Sequence, residues 1–406
     1  MLKNKNIVVI SLQPWYYEYG SNCKNIALQL AENNRVLYIN APINRRTYLS
    51  NNRSKGVSYH CEIIKRKEDR IKQVAKTMWV YYPASIVESI NWLPSTSAFS
   101  AANYFNNRRF AKDISYALQR LNFSDIILFN DNDIYNGFYL KELLKPSVYI
   151  YYCRDFLQGF NYWKKHTPVL EPRLIKKADI VVTNSFYYAD YCSRFNKNTH
   201  YIGQGCNVEL FDANRKFIVP EDVKNISSPV IGYVGALDAA RLDETIIEKI
   251  ALTQPEWNIV LVGPEDAFFK KSRLHLIPNI HFIGAKPIES LPDYINTFDV
   301  CINPQLKNEI TKGNYPLKID EYLALGKPVV STKTLAMKLF EPYAYLAEEP
   351  ADYIPLIEKA LKENNEEKKQ QRIAFAREHT WKNSVNALQK VVVKDMEAKH
   401  QKVAIA

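Results

Sequence analysis

The sequence predicts an α/β protein of two doubly wound, Rossmann-like domains facing each other across a cleft, and three observations carry that expectation. Its 406 residues exceed the size at which one hydrophobic core ordinarily splits into two. Strand-like apolar runs alternate with amphipathic helical patterns, the signature of βαβ units and parallel sheets. The alternation stops at a polar stretch with two prolines, residues 212–229, and then starts again.

In the first half the strands are expected at Asn6–Leu12, Arg35–Asn40, Asp125–Phe129, Ser147–Tyr152, Asp179–Thr183 and His200–Ile202. Between the first two, Ser21–Asn33 reads as a helix with Ser21 as N-cap and Ile26, Ala27, Leu30 and Ala31 on its buried face. The second half places strands at Val230–Val234, Asn258–Val262, Ile280–Ile283, Asp299–Asn303 and Pro328–Ser331. Helices alternate with them around Asp243–Leu252, Leu291–Phe298, Pro316–Leu325 and Tyr353–Asn364. Sheets of this kind bind ligands outside the carboxyl ends of their strands.

Composition narrows the classes. Apolar residues at 47 % and charged residues at 24 % are ordinary for a folded chain. The longest apolar runs fall far short of the roughly 20 residues a membrane helix needs. The start, Met1–Tyr17, reads as a first strand rather than a signal peptide. Six scattered cysteines without Cys-x-x-Cys spacing point to reduced thiols and a cytoplasmic protein. Charge is uneven: residues 1–215 hold 29 Lys and Arg against 17 Asp and Glu, residues 216–406 hold 25 against 26. The first half should therefore meet an anionic partner, with nucleic acid and anionic lipid both open on charge alone. No Gly-x-Gly-x-x-Gly follows a strand, which disfavours a dinucleotide oxidoreductase.

The segment Asn308–Thr332 carries the most chemistry. Pro316 suits the first position of a helix, and Gly326 with Pro328 beyond it ends that helix. Lys318 then lies in the first turn, where a cation opposes the positive end of the helix dipole. A phosphate bound by the free helix amides and by the lysine reconciles the two. The alternative is a solvated pairing of Lys318 with Asp320 or Glu309. Glu321, about one turn further on, could reach a ribose diol. Upstream, a strand ending in Gly235 lets backbone approach a ligand closely, and Arg241 offers a planar fork to phosphate oxygens.

On these residues the chain resembles the retaining GT-B glycosyltransferases that use nucleotide-diphosphate sugars, best from Val230 to Thr332 and more loosely over most of its length. Many members have two glutamates separated by seven residues; Glu321 matches the second, and the first falls on Gly313. The chain looks instead like the subgroup with Asn-x-x-Thr before Pro-x-Lys-x-x-Glu-Tyr, typical of bacterial surface-polysaccharide enzymes of the teichuronic-acid type. The resemblance implies a donor site of Gly235, Arg241, Ile283, Asn308, Thr311, Pro316, Leu317, Lys318 and Glu321, with Ile283 backbone at the base. Where the family has an arginine just after the glycine, this chain has Ala236. Asp155, ending Tyr151–Asp155, becomes the candidate sugar- or acceptor-contacting carboxylate, so the catalytic candidates are Asp155, Arg241 and Lys318.

The same resemblance implies an acceptor domain over 1–211, a linker over 212–229, a donor domain over 230–378, and a last helix, 379–406, returning to the first domain. It implies a saccharide or lipid-linked acceptor and retention of anomeric configuration. No cofactor beyond the sugar nucleotide is expected, and no metal: Asp131-Asn132-Asp133 has the spacing of a metal-bridging motif but lies in the acceptor half. Nucleic acid is not expected as a partner. Two other functions share part of the pattern, a sugar-nucleotide epimerase of the same fold and a basic nucleic-acid-binding protein. The first lacks evident paired acid and base groups, and the second leaves Lys318, Glu321 and Arg241 unexplained. Finally, Met78–Phe110 has eight aromatics and one acid, Glu88, close to Lys65-Arg66-Lys67. That composition suits peripheral contact with anionic lipid at the inner face of the plasma membrane, or else an ordinary core helix with loops.

Overall fold

The computed structural model describes residues 2–16, 22–66 and 68–405. The expected N-cap Ser21 and the last residue of the basic cluster, Lys67, lie outside them. The chain forms two compact units, Met1–Gly203 with Ser384–Ala406, and Gln204–Asn383.

In the first unit the strands are β1 (Asn6–Ser11), β2 (Arg35–Ile39), β3 (Ile43–Asn44), β4 (Ile71–Ala75), β5 (Met78–Tyr81), β6 (Ile86–Val87), β7 (Ile127–Asp131), β8 (Val148–Cys153), β9 (Ile180–Thr183) and β10 (Thr199–Tyr201). Eight of them build one sheet in the order β10-β9-β8-β7-β1-β2-β5-β4, and β3 pairs separately with β6. The near-continuous apolar runs of β1, β7 and β8 follow from their central position, buried on both faces. The helix Asn22–Ala31 buries Cys23, Ile26, Ala27, Leu30 and Ala31, the face its spacing predicts. The β4–β5 hairpin, whose outer strand β4 alone runs antiparallel while β5 pairs parallel with β2, is not legible in the sequence. Its outer strand is Ile-Lys-Gln-Val-Ala, mostly exposed and polar as sheet edges are.

Met78–Phe110 divides between core and surface. Met78, Val80 and Tyr81 belong to β5, and Phe99 and Phe110 are buried on the helix Thr96–Arg120. Ser95 caps that helix, accepting from the Ala98 amide at 3.1 Å. The helix Trp381–Ile405 joins this unit from Ser384 onward. Its Leu388 and Val392 lie beside Leu2, Ile7 and Ile127, and Gln389 accepts the Leu2 amide at 3.2 Å.

The second unit has β11 (Val230–Val234), β12 (Asn258–Val262), β13 (Ile280–Gly284), β14 (Val300–Asn303), β15 (Val329–Thr332) and β16 (Tyr345–Ala347), all parallel, in the order β13-β12-β11-β14-β15-β16. Alternate residues feed two clusters, one with Val230, Val260, Ile319 and Tyr322, the other with Ile231, Ile247, Ile259 and Tyr353. These are the two faces of the sheet.

Residues 204–229, expected to hold the end of the first domain and a linker, pack in this second unit. The polar composition conceals two apolar anchors, Phe211 and Val223, both buried in the same cluster as Val230 and Tyr294. Side chains add to them: Asp293 accepts the Ile218 amide at 3.1 Å, and Asp222 takes Lys286 at 2.6 Å and Tyr294 at 2.9 Å. Gly205 is needed where this segment meets the far end of the unit, because a Cβ there would lie 2.2 Å from the Trp381 amide nitrogen. Next to it the Cys206 amide donates to the His379 carbonyl at 2.8 Å.

Candidate functional site

β11 ends at Val234, and Gly235 turns the chain with φ +140, a conformation other residues rarely adopt. A Cβ on Gly235 would stand 2.6 Å from Lys318 Nζ, so glycine leaves the room the ammonium occupies. Lys318 is the second residue of the helix Leu317–Ala324. Pro316 is its N-cap rather than its first residue, with extended backbone at φ −82 and ψ 100. Leu325 and Gly326, with φ +73, close the helix. The first amides of this helix, lacking intrahelical acceptors, open toward its N-terminus beside the lysine.

The Lys318 ammonium donates to Tyr233 Oη at 2.5 Å and lies 3.9 Å from that ring's centre. Burial pushes Lys318 down to about 7; Glu321 opposes the fall and Arg241 adds to it. Glu321 is pushed up to about 7 by burial, with Lys318 opposing and Asp320 adding. A cation and a carboxylate are thus held next to each other, both near neutrality, and both with some surface open to solvent. The solvated pairings are not used. Asp320 is fully buried against Tyr315 and His379, and Glu309 pairs with Lys312 at 2.5 Å. Arg241 stands on the loop after Gly235, with its amide on the Asp238 carbonyl and its carbonyl taking the Leu306 amide, each at 2.9 Å.

That last bond belongs to the loop carrying Asn308 and Thr311. Asn308 caps its own turn, accepting from the Ile310 and Thr311 amides, and donates to the Ala240 carbonyl at 2.9 Å. Thr311 is fully buried, with its hydroxyl on the Leu306 carbonyl. Both therefore brace the loop against the Arg241 turn, and Thr311 has no surface to offer a sugar. Ile283 sits in the edge strand β13, partly exposed, just before Gly284 with φ +75. Leu317 is half-buried at the helix start.

In the first unit Asp155 is held by Arg154, whose guanidinium also reaches Asp131 at 2.6 Å; Asp131 in turn accepts from Ser11 Oγ at 2.6 Å. Ser11, Asp131 and the Arg154–Asp155 pair stand at the carboxyl ends of β1, β7 and β8 respectively. Asp133 turns elsewhere and caps Asn136 through two bonds of 2.9 Å. Asp131 and Asp133 therefore do not converge, and among the described residues no cluster of three metal-type ligands forms. Sequence reasoning missed Tyr233, Arg154 and the Asp320–His379 pair. Each acts through a partner distant in the chain, which no local pattern records.

Three comparisons bear on this geometry. Residues 228–362 match the family described as Glycosyl transferases group 1. The chain is 30 % identical over 264 residues, 60 % of its length, to TuaH of Bacillus subtilis (strain 168), whose name assigns it to teichuronic acid biosynthesis as a glycosyltransferase. The match spans 66 % of TuaH, just under two thirds. Solved structures similar over nearly the whole chain include sucrose-phosphate synthase of Thermosynechococcus elongatus, with TM-score 0.64 and 14 % identity, covering 99 % of this chain and 100 % of that one. Anabaena HepE in complex with UDP and glucose gives TM-score 0.62 and 15 % identity, covering 96 % and 98 %. Trehalose 6-phosphate synthase of Burkholderia multivorans gives TM-score 0.67 and 10 % identity, covering 99 % and 100 %. At these identities the likeness is one of fold, and the fold is the two-domain GT-B type.

Proposed function

The stretch 228–362 belongs to the group 1 glycosyltransferases, and from that premise we propose that the chain transfers a sugar from a nucleotide-diphosphate sugar to a saccharide or lipid-linked acceptor with retention of configuration. The observation that supports this reading is the meeting of Gly235, Lys318, Glu321 and Arg241 at the carboxyl end of the β11 region.

In this reading Glu321 takes the ribose hydroxyls, backbone near Ile283 takes the base, and Lys318, Arg241 and the helix amides hold the diphosphate. The bond from the sugar's anomeric carbon to the diphosphate oxygen breaks as the acceptor oxygen forms its bond on the same face. The acceptor proton passes to the departing phosphate. Negative charge grows on that phosphate, and preorganised cations and amides lower the barrier there without a protein nucleophile. No metal step is assigned. Asp155, oriented by Arg154, is the acceptor-side carboxylate. HepE was solved with UDP and glucose, which favours a sugar nucleotide as donor here as well. TuaH's name favours a surface polysaccharide as the product.

The place of work in this reading is the cytoplasm, with peripheral contact at the inner membrane face. Among the described residues no helix is long and apolar enough to cross a membrane. Trp92 is 73 % exposed and Tyr162 55 %, and Lys165 bonds the Trp92 carbonyl at 3.0 Å. Aromatic and cationic side chains together suit an anionic headgroup layer.

A thermal-shift panel of UDP-, GDP-, ADP- and TDP-sugars tests the donor assignment, since a ligand that binds only the folded state raises its stability. One of these nucleotides should stabilise the protein, and Glu321→Ala should remove the effect. Stabilisation by none of them would overturn the assignment. Proton NMR of the product's anomeric signal then reads retention or inversion.

A further inference from the structure

The helix Thr96–Arg120 runs for 25 residues, about 37 Å, along the first unit. Helical spacing buries Phe99, Phe110, Ile114 and Ala117 on its inward side. The same spacing sets Tyr104, Phe105, Arg108, Lys112 and Tyr116 in one exposed outward ridge, with Arg109 and Arg120 beside it. The helix has a single acid, Asp113, and that one faces inward, held by Arg70 at 2.7 Å and Tyr81 at 2.6 Å. Other acids at the margins are engaged. Glu88 is shared by Arg45 at 2.6 Å and Arg109 at 3.0 Å, and Glu68 lies 3.8 Å from Lys72. Asp69 and Asp125, in flanking loops, remain to set against Arg35, Arg108, Lys112 and Arg120. Among the described residues neither Arg108 nor Lys112 forms an ion pair; Arg108 lies 6.0 Å from the Tyr104 ring centre. Arg108 and Lys112 are four positions apart and Arg109 and Lys112 three, so like charges face each other where a solvated helix gains from opposite ones. Positive charge is in excess, and it is concentrated on the ridge.

We propose that this ridge is a docking face for an anionic lipid surface, with the helix lying flat on the headgroups. The inference rests on the peripheral-membrane part of the function proposed above, and it deepens that part by naming the face that docks. Anionic headgroups complement the unpaired cations and relieve their mutual repulsion, and each Lys or Arg near such a surface adds to the attraction. Phe105, 60 % exposed, stands among those cations, where it can enter the boundary between headgroups and acyl chains. Single-stranded nucleic acid is held in a basic groove. This surface is a convex helix ridge, which a planar headgroup layer meets along its length.

Flotation of the full chain with phosphatidylglycerol or phosphatidylcholine vesicles tests this at low and high salt, with a gel shift on mixed-sequence RNA beside it. Wild type should bind the phosphatidylglycerol vesicles, and high salt should weaken that binding. Arg108→Ala/Lys112→Ala should bind them about twentyfold more weakly, since each cation near an anionic surface contributes a factor of about five. Phe105→Ala should bind them several-fold more weakly. Arg108→Glu separates docking from structure. It turns a repulsion across one helical turn into an attraction, so the free protein should be at least as stable while vesicle binding falls. Vesicle binding untouched by the helix variants but lost in Trp92→Ala/Tyr162→Ala would overturn the ridge and keep the membrane contact. No vesicle binding would overturn both, and the donor assignment, read by thermal shift, would stand. A gel shift abolished by the helix variants, without vesicle binding, would overturn the proposal in favour of nucleic acid.

Discussion

Asp320 Oδ1 lies 2.9 Å from His379 Nδ1, and its other oxygen accepts from Tyr315 Oη at 2.8 Å. The carboxylate is fully buried. It stands on the same helix as Lys318 and Glu321 but on the opposite side, facing the segment where the chain leaves the second unit. One helix thus carries the proposed donor-site charges on one flank and an anchoring charge on the other.

Asp320→Ala should destabilise the protein by about 3 kcal/mol, since it leaves a buried hydroxyl and an imidazole without their acceptor. Asp320→Asn keeps one acceptor and should lose less. Urea unfolding of the two variants checks the order; equal stability of wild type and Asp320→Ala would show that the anchor carries no load.

Donor binding should pass through a maximum near pH 7. Glu321, raised to about 7 by burial, accepts hydrogen bonds from a ribose best as a carboxylate, so affinity falls as pH drops below that value. Lys318, lowered to about 7 by burial, holds a diphosphate best as an ammonium, so affinity falls as pH rises above it. Glu321→Ala should weaken binding by about 2–3 kcal/mol with the fold intact. In Lys318→Met the alkaline limb should disappear. Calorimetry from pH 5.5 to 9 reads both limbs, and an alkaline limb that persists in Lys318→Met would separate the lysine from the diphosphate.

Lys318→Ala and Arg241→Ala should slow turnover more than they weaken ground-state binding. Their charge matters most as negative charge accumulates on the leaving diphosphate. Comparing kcat with the dissociation constant of the intact donor measures the split. Equal losses in the two would mean that the residues bind substrate and transition state alike.

The proposed membrane contact has its own test in sedimentation with liposomes. Binding to anionic vesicles at low salt should exceed binding to neutral ones and weaken at high salt, because exposed charges are screened. Trp92→Ala/Tyr162→Ala should reduce it several-fold without loss of donor binding. Binding indifferent to lipid charge, or none, would leave a soluble acceptor as the answer.

How far the sequence reaches can be followed residue by residue. The strands Val230–Val234 and Asn258–Val262 have the bounds their apolar runs predict, because strands buried on both faces write their extent directly into composition. Gly235, Lys318 and Glu321 were legible for a similar reason: a strand end, a helix start and one helical turn are local, and their side chains fall together once those elements form. Asn308 and Thr311 were equally visible, yet their neighbours decided their work, and Thr311 is spent inside its own loop. Tyr233 beneath the Lys318 ammonium, Arg154 between Asp131 and Asp155, and Asp320 against His379 across 59 positions belong to the tertiary structure alone. So does the attachment of residues 204–229 to the second unit through Phe211 and Val223. Periodicity is the imprint of burial along one element, whereas a contact between distant elements imposes no period on either, and only the folded chain brings those partners within reach.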